Sequence, residues 1–309
     1  LAYCGRRMRV AKVAHKTSDN IMKTGGRRML DAVHLEGARC DGSAHGGCQA
    51  DCVFFWKEAW LLRADDDRRQ SSAQSNRSLR CTEAQVWQRV HPASEPESAE
   101  PTWVCQTTAL YDATLPLHWW DMRQYVRDVT SGNHSAWHMF KLIVFAGYRK
   151  LVAFGIGYRY LIGFYNWFQK LRGGDPYPLG NGSIPNGQPT PTAVLDLQPG
   201  EWVEVRPQKE ILSTITESGF NRGMRYDREM SKYCGKSYRV QMRVDRLINE
   251  QTGKMMQMKS PCIQLEDVYC RAECTTKRLG CPRASNTYWR EIWLRRADAP
   301  ANKDAPRSL

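Results

Sequence analysis

The sequence predicts a mainly β protein with some α: two small SH3-like barrel modules joined by a helical, linker-flanked middle segment. Three observations carry this. Blocks of sequence recur in the same order at the two ends of the chain. The later block alternates apolar and polar residues with the period of two that a half-buried strand requires. The stretches between the blocks are rich in Gly, Pro and Ser, the residues of turns and tethers.

The first module is read as residues 1–65. Its opening, YCGRRMRV at Tyr3 to Val10, returns as YCGKSYRV at Tyr233 to Val240. At the same offset, Leu35, Glu36 and Cys40 meet Leu265, Glu266 and Cys270; after a short length difference, Gly47-Cys48 meets Gly280-Cys281. The stretch WKEAWLLRAD from Trp56 to Asp65 then meets WREIWLRRAD from Trp289 to Asp298. Shared order through several blocks is the mark of one module carried twice. The chain opens at Leu1, almost on its Tyr-Cys-Gly, whereas the second copy is preceded by LQPGEWVEVRPQKEILSTITESG. The expectation is that the first copy is N-terminally truncated here and that the missing N-terminus holds an equivalent strand; the alternative is a permanently shortened module that borrows a strand from elsewhere.

Residues 66–103 read as a flexible linker, being poor in apolar residues (DDDRRQSSAQSNRS, HPASEPESAEPTW). Residues 104–172 form the middle segment. PLHWWDMRQYVRDVTSGN predicts a helix entered near Pro116 and closed by Ser131-Gly132-Asn133, with Asp121, Tyr125 and Asp128 on one face. Paired acids can do acid/base work, but a solvated face is the commoner cause. From Met139 to Arg172 the chain has many aromatics, the cations Lys141, Arg149, Lys150, Arg159, Lys170 and Arg172, and no acid. As a helix, with Trp167 among its aromatics, it suits an anionic membrane interface; the alternative is a helical pair packing on the modules or on a partner protein. Gly147, Gly155, Gly157 and Gly163 count against a stable isolated helix.

Residues 173–194 are a Gly/Pro linker and residues 195–298 the second module. There EWVEV predicts a strand and KEILSTI a short helix. SYRVQMRVDRLI predicts a strand with Tyr238, Val240, Met242 and Val244 on one face. A turn at NEQTGKM follows, with Gly253 free to take positive φ, then strands at CIQLEDVYC and YWREIWLRR. Trp289 and Trp293 share a face of the last strand, as core or as a platform. Residues 299–309 are a tail.

The formal charge of +13 and pI near 9.3 suggest an anionic partner. Cysteines at equivalent places in both copies suggest two structural zinc sites, since zinc favours four sulfur or nitrogen donors. The sets are Cys4, Cys40, Cys48 and Cys52, with His45 as substitute, and Cys234, Cys262, Cys270 and Cys281, with Cys274 as alternate. Disulfides and inert buried thiols are the competing readings. CDGSAH at Cys40 to His45 resembles the CDGSH iron–sulfur motif, but Ala44 is inserted and Met29-Leu30-Asp31 stands where that motif has Cys-x-Cys.

No GxSxG, HExxH, P-loop or dinucleotide fingerprint is present. The last histidine is His138, which excludes a histidine base in each module. The leading expectation is a non-enzymatic, metal-stabilised scaffold or adaptor that binds a partner protein or an anionic membrane surface. The alternative is nucleic-acid binding, with Arg239 and Arg243 on phosphates and exposed Trp289 and Trp293 stacking on bases. The basic start has no apolar signal core, so the expected place is the cytoplasm, with peripheral membrane association. The YCGxxxRV, WWDxRQYxRDxTSGN and WREIWL segments (Tyr233 to Val240, Trp119 to Asn133, Trp289 to Leu294) resemble a bacterial family of unknown function with duplicated cysteine-containing modules. That resemblance implies architecture and no activity.

Overall fold

The computed structural model describes residues 3–19, 21–64, 82–90 and 101–299. Strand and helix are present in roughly equal measure, and the strands form several antiparallel sheets. The chain forms two compact units. One comprises Leu1–Ser135, Arg246–Gln257 and Cys281–Arg283, the other Ala136–Asp245, Met258–Gly280 and Ala284–Leu309.

The first unit contains β1 (Val10–Val13), β2 (Lys16–Asp19), β3 (Gly25–Arg28), β4 (Ala32–Leu35), β5 (Trp56–Lys57) and β6 (Leu115–Pro116). It also holds helices α1 (Glu83–Val90) and α2 (Arg123–Thr130). The strand orders are β1-β4-β5 and β2-β3-β6, so β1 is an edge. Apolar packing is divided between Ala14, Met29, Ala32, Phe55 and Leu110, and a cluster of Val33, Leu35 and Ala38 flanked by half-buried Tyr3, Met8, Trp56 and Leu61.

The helix expected from Pro116 begins only at Arg123, because Leu115 and Pro116 pair with Arg28 and Arg27 instead. Its end is as expected: Gly132 takes φ 78°, and Ser131 N–H caps the Arg127 carbonyl. α1 lies within residues 66–103, where the sequence suggested only linker. Residues 65–81 and 91–100 lie outside the described residues, as does the tail from residue 300.

In the second unit, β7 (Trp202–Val205), β8 (Phe220–Asn221), β9 (Met224–Arg225), β10 (Ser237–Ile248), β11 (Met255–Leu265) and β12 (Leu294–Arg296) follow one another. The ends of β10 and β11 that flank their turn belong to the first unit. The main sheet runs β11-β10-β7-β12. β7 is its keystone: Val203 pairs with Tyr238 of β10 on one side and Arg296 of β12 on the other. Val203 and Val205 point inward onto Trp289, Trp293, Leu294, Ile211 and Ile215, all fully buried. Ile211 lies on the short helix α5 (Gln208–Leu212), where the sequence placed one. α3 (Ala136–Ala153) and α4 (Tyr158–Arg172) precede this sheet as a helical hairpin; α5 is numbered after them. The last predicted strand is interrupted, because Glu291–Trp293 forms a 3-10 turn before β12. The Gly/Pro stretch 173–194 packs closely here: a Cβ on Gly182 would lie 2.0 Å from the Ile215 carbonyl oxygen.

The recurring sequence blocks also share hydrogen bonds. Tyr3 Oη donates to Arg39 O and accepts from Arg39 N, while Tyr233 Oη does the same with Tyr269. Glu36 N donates to Arg9 O as Glu266 N does to Arg239 O. Cys40 N meets Cys52 O at 2.8 Å, and Cys270 N meets Ser285 O at 2.8 Å. At the hairpin turn Asp19 Oδ1 accepts from Ile21 and Met22 N–H, and Asn249 Oδ1 from Gln251 and Thr252 N–H. The pair β1 and β2 therefore corresponds to β10, and β3 and β4 to β11. The correspondence extends through a turn with no sequence identity.

Candidate functional site

In the first unit, Cys40, Cys48, Cys52, Cys105 and His45 line one cavity of about 770 Å³, with Arg89 and Glu250. The loop that brings Cys48 back to Cys40 depends on Gly42, whose φ is 74° and whose Cβ would lie 1.9 Å from the Cys48 carbonyl oxygen. Cys40 Sγ lies 3.7 Å from His45 Nδ1, and Cys48 Sγ accepts from Ile248 N at 3.3 Å. Burial pushes the Cys40 thiol up to about 11, with the nearby sulfurs Cys52, Cys105 and Cys48 adding to the effect. A thiol so raised stays protonated at neutral pH, the opposite of an activated nucleophile.

Cys4 is exposed and does not line this cavity. Its neighbour Tyr3 is what holds the cysteine loop, through the hydroxyl on Arg39. Cys105, which has no counterpart in the second copy, takes a place in the cavity that the repeat could not signal. In the second copy Cys234 meets Tyr226 Oη at 3.4 Å and Cys262 lies against Val244 O at 3.8 Å. Burial raises the Cys270 thiol to about 12. The loop at Cys274 is held by Glu229, a buried carboxylate that accepts from Cys274 N, while Arg278 pairs with Asp227. Cys281 belongs to the first unit. A Cys–His pair at 3.7 Å matches the separation of two ligands on one zinc. However, among the described residues no group of three or more His, Cys, Asp or Glu side chains is placed to hold a metal ion. Zinc remains the expectation drawn from the sequence, and no chemistry is assigned to a metal. The ten described cysteines are free thiols.

The acids of the middle segment part company. Asp121 forms a local ion pair with Arg123 at 2.8 Å, which lowers its carboxyl to about 2. Asp128 is fully buried, 2.5 Å from Lys16 Nζ and 3.3 Å from His15 Nε2. Burial raises Asp128 and lowers Lys16. This buried pair ties α2 to β2 and is not a solvated face.

The nucleic-acid reading loses its stacking platform: Trp289 and Trp293 are fully buried beneath β7 and α5. Arg243 pairs with Glu291 at 3.0 Å, and Arg239 bonds Gly200 O and approaches Glu266 at 3.9 Å.

The basic aromatic segment is a pair of helices. Gly155 and Gly157 adopt φ 83° and 63° and break it after Ala153, whereas Gly147 and Gly163 stay helical. The helices meet through Phe145, Tyr148 and Tyr165, with Tyr177 against all three rings and Tyr148 Oη donating to Leu161 O at 2.5 Å. Their other sides are bare. Phe140, Val144, Leu151 and Phe154 follow one helical stripe, and Tyr160, Phe164, Trp167 and Leu171 another, all exposed. The tip carries Phe154 at 78 % and Ile156 at 88 % exposure. Lys141, Lys150, Arg159, Lys170 and Arg172 are exposed around these stripes, with Arg172 5.3 Å over the Phe168 ring; Arg149 is half-buried near Arg228. No helix of the described residues is long and apolar enough to cross a membrane. No protein-family model, curated protein or solved structure matches the chain.

Proposed function

We propose that the chain is a non-enzymatic adaptor that docks on an anionic membrane surface through the α3–α4 hairpin, with its duplicated blocks acting as two SH3-like modules. The carrying observation is the hairpin: two exposed apolar stripes, with Phe154 and Ile156 exposed at its tip, within a run of cations and no acid. Contiguous apolar surface of this kind marks an interaction site in a soluble fold. An amphipathic hairpin rich in Trp, Tyr, Lys and Arg gains both from apolar burial and from anionic headgroups, the latter by about 1 kcal/mol per cation near the surface. Zinc is not required by this reading.

Flotation of the full chain with phosphatidylcholine vesicles, with and without phosphatidylserine, tests it. The expected result is salt-sensitive recruitment to the anionic vesicles, reduced at least about tenfold when Phe154→Asp and Ile156→Asp are combined. Recruitment that ignores the double substitution, or none at all, contradicts it.

A further inference from the structure

The two copies differ in one rung of the ladder that closes the cysteine loop. In the first copy Arg39 and Val53 pair antiparallel, Cys40 N–H donates to Cys52 O at 2.8 Å, and Phe54 N–H donates to Ala38 O at 3.2 Å. That register sets Cys40 directly opposite Cys52. In the second copy Tyr269 pairs with Asn286, and Cys270 N–H donates to Ser285 O at 2.8 Å, so a serine stands opposite the equivalent cysteine. Directly opposed residues of an antiparallel pair point to the same face, with Cα atoms about 5.5 Å apart where they share a hydrogen bond. A disulfide spans Cα separations of about 4.4–6.8 Å. The rung is a single bridge bounded by left-handed Gly42 (φ 74°) and Asp51 (φ 48°), so little regular sheet resists a small adjustment of the two Cβ atoms. Cys40 and Cys52 are both half-buried and line the same cavity, which admits a small thiol or disulfide. The other thiols of that cavity are placed differently: Cys48 Sγ is engaged by Ile248 N–H at 3.3 Å, and Cys105 lies on a separate segment. Of the sulfurs that act on Cys40, Cys52 acts most strongly.

We propose that Cys40 and Cys52 form a reversible disulfide across this rung, a redox modification site that the first copy has and the second lacks. The oxidant is a small-molecule disulfide of the glutathione class. One cysteine thiolate attacks a sulfur of the oxidised glutathione and releases one glutathione as a thiol. The thiolate of the other cysteine then attacks the protein sulfur of this mixed disulfide and displaces the second glutathione. The Sγ–Sγ bond of the protein replaces that of glutathione, two electrons pass from the cysteines to the oxidant, and the two thiol protons end on the two glutathiones. Burial keeps both cysteines protonated at neutral pH, so the exchange is slow, and its end point is set by how the rung places the two sulfurs. The bond staples the base of the loop that carries His45 and Cys48. It also takes two thiols out of the cavity, so the oxidised chain cannot offer both sulfurs as thiolates to a soft metal ion.

The inference stands independently of membrane docking. The full chain, reduced and freed of metal by a chelator, is equilibrated with oxidised glutathione in mildly alkaline buffer until its composition is constant. Remaining thiols are then blocked and the chain is cleaved before aspartate. Cuts before Asp31, Asp41 and Asp51 put Cys40, Cys48 and Cys52 on three different peptides, so mass spectrometry reads the linkage directly. The peptide ending at Cys40 is expected to be joined to the one beginning Asp51-Cys52 in more than about half of the chains, with Cys48 and Cys105 blocked as thiols, and the link is expected to vanish in excess reduced glutathione. Cys52→Ser, which copies the serine opposite Cys270, is expected to keep the parent's circular dichroism and to lose the link. The same treatment in urea is expected to spread the link among the three loop cysteines. Absence of a link in the folded chain, a link from Cys40 to Cys48 or Cys105, or glutathione retained on Cys40 overturns the proposal. So does a link that reduced glutathione leaves intact, or a distribution that is the same with and without urea.

Discussion

At the residue scale, equivalent positions in the two copies solve the same problem with different chemistry. His34 and Gln264 both sit buried within a strand. His34 offers Nδ1 to Phe54 O at 3.0 Å and packs its ring on Phe55. Burial, helped by Arg283 and Arg39, lowers its pKa to about 4, against the hydrogen bond to Phe54 O. The unfolded chain takes a proton near 6.5 and the folded chain only near 4. Stability is therefore full above 6.5 and falls as pH drops through the window between these values, by about 1.4 kcal/mol per pH unit. His15, lowered to about 4 by burial and Lys16, adds a slope of the same sign. Urea unfolding of His34→Gln at a series of pH values should give a shallower acid limb than the parent, by about that amount. An unchanged limb would show that His34 is protonated in the folded state. The tyrosine of Tyr-Cys-Gly teaches a related point: the cysteine was the obvious letter, yet the hydroxyl beside it carries the shared bond.

At the element scale, periodicity made β7, β10, α5 and the Gly253 turn legible, because each buries one face by itself. Legibility failed where long-range partners decide. The helix expected from Pro116 is shortened because Leu115 and Pro116 join β3, and Asp128 reads as a surface acid until Lys16 reaches it from far along the chain. Removing one member of a buried ion pair leaves the other uncompensated, at about 3–5 kcal/mol. Lys16→Met should lower the stability of the first unit by that order, and Asp128→Asn added to it should restore part of the loss; a loss below about 1 kcal/mol in urea unfolding would mean that α2 is held without the pair. The aromatic run likewise gave helix content but not the place of its break, since glycine weakens a helix wherever it falls. Two of its four glycines turn and the other two do not.

At the scale of the whole molecule, the duplication was readable from a few sequence blocks, whereas its inequality was not. Val10 and Val240, or Trp60 and Trp293, are identical letters, and only the presence of β7 and α5 separates buried from exposed. The cysteine loop was legible as Cys40, Cys48 and Cys52, which line one cavity, whereas Cys105 in the same cavity has no counterpart that could have signalled it. One order of blocks is used twice: β7 and α5 cover the second copy, and among the described residues β1 is the edge of its sheet in the first. Site-resolved hydrogen exchange on the unliganded full chain tests this most directly. Val240 N–H donates to Glu201 O at 2.8 Å across the β7 side, and the register through Glu36 and Arg9 turns Val10 N–H toward the corresponding open side. The account predicts Val240 to exchange at least about a hundredfold more slowly than Val10. Equal protection of the two amides would contradict it.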